Sequence, residues 1–151
     1  MVFEHDFEKF PELTNAQLET HQFNSPHPQI IEDFEAEVVE VHDGDSVTLT
    51  TSFRDFTFPL RLLDIDAPEL NEGGKETGDW LRGELLGNTV MVLIDARQRV
   101  GKYGRLLGRI MFRGLDMADV MLRRGLVVPF GEKKASEPPP VDKIFALRQW
   151  F

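Results

Sequence analysis

Three short stretches of this 151-residue chain hold the residue types that phosphate chemistry requires. "DGDS" (43–46) contains Asp43 and Asp45, "PLRLLDIDAPEL" (59–70) contains Arg61, Asp64, Asp66 and Glu69, and "GKYGR" (101–105) ends on Arg105. Carboxylates are poor strand formers, and a charge beside an apolar core is costly unless it is paired or binds an ion. Asp45 and Asp66 each follow or end an expected strand, so a barrel can bring their carboxylates to one rim. Two facing carboxylates need a cation between them, and hard oxygen ligands suit Ca²⁺ or Mg²⁺. Arg61 and Arg105 offer planar, permanently charged forks for phosphate oxygens. Glu69 is the candidate to orient or deprotonate water. Together these are the parts needed to hydrolyse a phosphodiester. Singly, each piece has a plainer reading: a hairpin turn, an ion pair for Arg61, a proline turn at "DAPE", and a glycine loop at "KYGR".

The elements that must position these residues follow from pattern. "AEVVEVH" and "SVTLTT" alternate on either side of the "DGD" turn and predict a hairpin. "FTFPLRLLD" is a third strand, and "TVMVLID" and "RLLGRIMF" are two more, parted by the polar "ARQRVGKYG". "TGDWLRGELLG" has helical spacing at Trp80, Leu81, Leu85 and Leu86, with Thr77 as N-cap and Gly87 as the stop. "LDMADVMLRRG" predicts a second helix with Leu115, Val120 and Leu122 near one face and Gly125 at its end. "LVVPF" is a short extended run. The fold expected is mainly β (α+β), a small five-stranded OB-type barrel with two or three helices.

Composition bounds the rest. One domain with attachments fits this length, and no apolar run is long enough to span a membrane. The acidic N-terminus does not read as a secretory signal, and there is no cysteine, so a cytoplasmic or virion-associated protein is expected, with any metal held by oxygen or His. The net charge of −9 argues against a general nucleic-acid binder, yet residues 1–40 hold ten acidic residues and one Lys, leaving the remainder neutral. Three regions are expected: an acidic arm over 1–35, the barrel over 36–131, and a proline-containing linker with a terminal helix over 132–151. In the arm, "TNAQLETH" predicts a short helix capped by Thr14 or Asn15. His5, His21, His27 and His42 lack ligand spacing, and Trp80 and Trp150 read as core residues.

"VVEVHDGDSVTL", "RLLDIDAPE", "GKYGRLLGRI" and "DMADVMLRRGLV" resemble, in order from about Val38 to Phe130, the signature blocks of the staphylococcal (micrococcal, thermonuclease) nuclease family. The resemblance implies an OB-fold barrel acting as a Ca²⁺-dependent endonuclease on DNA and RNA. It makes Asp45 and Asp66 the calcium-binding aspartates and Ala67 the donor of a backbone carbonyl to the metal. Glu69 becomes the catalytic glutamate, and Arg61 and Arg105 the phosphate-gripping arginines. Lys102 and Tyr103 would lie near the substrate's 5′-phosphate, and Asp43 would support the metal site from behind. Against the family pattern, the "LNEGGKET" loop is short, and "LVVPFGEKK" lacks the tyrosines that the best-known member sets beside a bound nucleotide.

The acidic arm leaves three readings open: a flap competing with nucleic acid, an anchor to a basic partner or larger assembly such as a phage particle, or a solubilising extension. The rival to a nuclease is a structural or adaptor protein that reuses the barrel in such an assembly.

Overall fold

The computed structural model describes residues 11–17, 27–69, 72–101 and 104–131. The expected linker and terminal helix, Lys102, Tyr103, His5, His21, Trp150 and much of the arm lie outside the described residues. Among those described, no helix is long and apolar enough to cross a membrane.

The chain builds β1 (Phe34–Asp43), β2 (Ser46–Thr51), β3 (Arg54–Leu62), β4 (Ile65–Asp66), α1 (Gly74–Leu85), β5 (Thr89–Leu93), β6 (Leu106–Phe112), β7 (Leu115–Asp116), α2 (Met117–Arg123) and β8 (Val128–Pro129). The sheet runs β3-β2-β1-β5-β6-β7, and β6 also pairs with β3 in parallel, closing a five-stranded barrel with β7 as an added strand. Alternation drives this closure: Ala36, Val38 and Val41 on β1 turn inward, while Glu35, Glu37 and Glu40 face out. The interior is filled by aliphatic side chains such as Val47, Leu49, Leu60, Val92 and Ile110, with Phe58 the largest. Burial of such side chains contributes about 1.5–3 kcal/mol each, so the barrel is held chiefly by its filling.

β1 and β2 form the expected hairpin, closed by the Asp43–Ser46 pair with Gly44 and Asp45 as the turn. Glycine is required at 44 because a Cβ there would lie 2.3 Å from Thr77 Cγ2 and 3.0 Å from Ala67 Cβ. The turn is therefore pressed against α1 and the end of β4.

Both helices differ from expectation at their starts. α1 begins four residues before Thr77 as N-cap predicts, behind Gly73 in a left-handed conformation with no side-chain cap. The Thr77 side chain is buried instead, its hydroxyl donating to Leu126 O at 2.7 Å. α2 starts after Asp116, whose carboxylate accepts from Ala118 N–H at 2.9 Å. Leu115 pairs in β7 and is exposed, and the buried face of α2 is Met117, Ala118 and Met121. Gly87 and Gly125 end the two helices as expected, each with positive φ. In the arm, Thr14 Oγ1 accepts from Gln17 N–H while Gln17 Oε1 accepts from Thr14 N–H, a reciprocal cap at the predicted place.

Candidate active site

β3 delivers Arg61, and the β1–β2 turn delivers Asp45, because Ser46 pairs directly with Arg61 across β2 and β3. After β3 the chain reverses at Asp64, which takes a left-handed φ of 67°, a conformation that Asp tolerates better than most residues. The reversal starts β4, whose Asp66 pairs with Val128 of β8. Asp64 also forms an ion pair with Arg109 and accepts the Phe130 N–H through its carbonyl at 2.9 Å. Its charge therefore serves the turn.

These connections bring Asp45, Arg61 and Asp66 together. Arg61 Nη2 stands 2.7 Å from Asp66 Oδ1 and 3.3 Å from Asp45 Oδ2, so one guanidinium spans both carboxylates. Arg61 Nη1 donates to Leu62 O at 2.7 Å. The second oxygen of Asp66 accepts from Gly131 N–H at 3.0 Å, and Asp45 Oδ2 accepts from Ala67 N–H at 2.8 Å. Asp43 Oδ1 receives the Asp45 N–H at 3.1 Å, which makes it a brace for the turn. Burial, followed by the Asp43 side chain, raises the Asp45 pKa, opposed by the Ala67 N–H and the Arg61 charge.

A cleft of about 620 Å³ opens beside this cluster, and both Arg61 and Arg105 line it. Arg105 enters from the loop before β6 and is exposed, with Nη1 3.5 Å from Ser46 Oγ. Glu69 is exposed at the mouth of α1, and its carbonyl accepts from Glu72 N–H at 2.8 Å and Gly74 N–H at 2.9 Å. Gly74 is obligatory in that tight turn, since a Cβ would fall 2.3 Å from Pro68 O. The described residues thus join Asp43, Asp45, Arg61, Asp66 and Ala67 directly. Arg105 is brought to the same cleft, and Glu69 is held on a constrained turn three residues beyond Asp66.

Two cleft residues were not singled out in the sequence. Arg97 adds a third guanidinium to the lining, and Phe130 lies across it with 72% of its surface exposed. A phenylalanine so exposed beside three arginines is the signal, but it is visible only once β8 is seen to pair with β4. His27 and His42 have ordinary roles: His27 packs edge-on against Phe56, and His42 lies 2.5 Å from Thr48 Oγ1. Trp80 packs against the core beneath Arg124. Among the described residues, no three His, Asp or Glu side chains form a ready metal cage.

The arrangement can be set beside known proteins. The family model described as staphylococcal nuclease homologue matches residues 59–143, more than half of the chain. An uncharacterized protein of Bacillus anthracis is 28% identical over 102 residues, covering 63% of this chain and 47% of that relative. A probable endonuclease LCL3 of Schizophyllum commune is 30% identical over 102 residues, covering 58% and 35% respectively. A micrococcal nuclease of Shigella flexneri is 36% identical over 77 residues, covering 50% and 41%. The chain thus spans less than half the length of each of these relatives. The matched region contains Arg61, Asp66, Glu69 and Arg105, and the barrel adds Asp45 to them from outside it. With its closed barrel and this residue set, the chain belongs to the staphylococcal nuclease homologue family.

Proposed function

We propose that this protein is a Ca²⁺-dependent endonuclease that hydrolyses phosphodiester bonds of DNA or RNA in the cleft between Arg61 and Arg105. The observation that carries the reading is the single guanidinium of Arg61 spanning Asp45 and Asp66 beside a cleft that Arg105 also lines. Two carboxylates around one positive charge leave the rim with an excess negative charge, which favours a cation from solution. The donor chemistry fits Ca²⁺, because Asp45, Asp66 and the Ala67 carbonyl would offer hard oxygen only. When bound, such an ion supplies charge stabilisation at a phosphoryl oxygen.

The protein's own groups do the rest. Arg61, relieved of neutralising both carboxylates, turns its fork to a phosphate oxygen, and Arg105, which lines the same cleft, grips the same group. Glu69 holds the attacking water and takes its proton as the P–O bond to the departing sugar breaks. Lys102 and Tyr103, which precede Arg105 in the sequence, are assigned to the neighbouring phosphate. Arg97 adds positive charge along the strand's path, and Phe130 offers a face on which a base can stack, a role left open by the missing tyrosines. The relatives named as endonuclease and micrococcal nuclease support the same reading.

The test is cleavage of single-stranded DNA and of RNA by the purified protein, with Ca²⁺ or with EDTA. Cleavage that requires Ca²⁺ and disappears in Glu69→Gln is expected. A protein that cuts neither substrate under any divalent cation is not a nuclease.

A further inference from the structure

Two body arginines have no solvent to screen them. The Arg54 side chain, at the start of β3, is 0% exposed, and that of Arg99, in the loop before β6, is 2% exposed. A buried guanidinium needs a counter-charge, and among the described residues Glu12 alone provides one for both. Arg54 Nη1 donates to Glu12 Oε1, and Arg99 Nη2 stands 3.6 Å from Glu12 Oε2. Neighbouring backbone completes the cluster: Arg99 donates to Ile30 O at 2.8 Å and to Leu13 O at 2.5 Å, and Arg54 donates to Pro28 O at 2.9 Å.

Arg99 stands at the base of the loop that carries Arg105. Its carbonyl accepts from Leu107 N–H at 2.9 Å, Arg105 O accepts from Gly101 N–H at 2.8 Å, and Val100 bridges to Leu106. The arm holds the same loop at two further points. Glu12 N–H donates to Gly104 O at 3.2 Å, one residue before Arg105, and Asn15 Nδ2 donates to Ala96 O at 2.8 Å. Base, tip and approach of one loop are thus all tied to Glu12 and Asn15.

We propose that Glu12 is a positioning residue for Arg105, and that residues 11–17 are a clasp by which the acidic arm sets the phosphate-gripping loop. The inference rests on the reading of Arg105 as a phosphate-binding residue. It differs from the flap, anchor and solubilising readings because it makes the arm part of the working site.

The experiment uses the full chain with Glu12→Gln, followed by amide hydrogen exchange and steady-state cleavage. Beyond the change at the barrel amide of Val38, which follows global stability, the amides of Gly101 and Leu107 are expected to exchange about tenfold faster. kcat falls about 10²-fold with KM nearly unchanged, since a misplaced group far from the chemistry costs rate. If Glu12→Gln does not fold, Asn15→Ala, which buries no unpaired charge, is expected to give the same pattern at smaller size. Unchanged exchange at Gly101 and Leu107 overturns the clasp, as does a rate loss that only follows the unfolded fraction. If the protein cuts no nucleic acid, faster exchange at these amides still supports the clasp. If exchange is unchanged while Arg105→Ala abolishes cleavage, the clasp fails and the reading of the site stands.

Discussion

Two carboxylate–guanidinium clusters in this molecule are opposites in charge. At the rim, one arginine (Arg61) serves two carboxylates, Asp45 and Asp66, with side chains 10–15% exposed. Behind the loop, one carboxylate (Glu12) serves two arginines, Arg54 and Arg99, with almost no exposure. The rim is surplus negative and adjoins a cleft, so a cation can reach it from solution. The buried cluster is surplus positive and sealed, so its charges answer to one another and to nearby carbonyls. On the proposed reading, the same pair of functional groups serves binding in one place and construction in the other. Exposure and stoichiometry decide which.

The comparison can be broken at either end. The largest effect belongs to the sealed cluster: Glu12→Gln leaves two buried guanidinium groups without a counter-charge and should cost about 3–5 kcal/mol, read from the midpoint of urea unfolding. At the rim, Arg61→Ala should leave the urea midpoint much less changed. Its cleavage rate should fall about 10²–10³-fold, as for loss of one preorganised donor to a developing oxyanion. A rim variant that lowers the midpoint as far as Glu12→Gln, or a Glu12 variant that leaves the midpoint in place, would overturn the contrast. Phe130→Ala, tested by anisotropy of labelled single-stranded DNA in a Glu69→Gln background, should weaken binding by about 1–3 kcal/mol and leave folding alone. The smallest effect is expected at Arg123, whose pair with Asp119 at 3.1 Å lies in solvent. Arg123→Ala should change stability by no more than about 0.5 kcal/mol.

Much of the site was legible because its residues lie close together in sequence. Arg61, Asp66 and Glu69 stand out in and after a hydrophobic strand, and their closeness in sequence keeps them near one rim. The barrel was legible for a related reason, since period-two alternation marks each strand and the "DGDS" turn fixes the first register. Helix starts were less so. Thr77 has the composition of a cap, but a buried hydroxyl with a carbonyl partner on the chain after α2 claimed it for packing. Leu115 fits the spacing of a helical face, yet Asp116 caps the helix and leaves Leu115 on a short strand.

By itself the sequence determined the residue types, the strands that carry them and the family to which they belong, because those signals repeat over short distances. Only the tertiary structure decided that Phe130 and Arg97 share the cleft of Arg61, through the pairing of β8 with β4 and the closure of the barrel. It alone decided which charges are buried together. Glu12 meets Arg54 across 42 positions, and Leu13 meets Arg99 across 86, with no periodicity between them. A lone Glu in an acidic arm looks solvated on paper. Burial, which depends on what the whole chain packs against it, makes it the counter-ion of the barrel's most enclosed arginines.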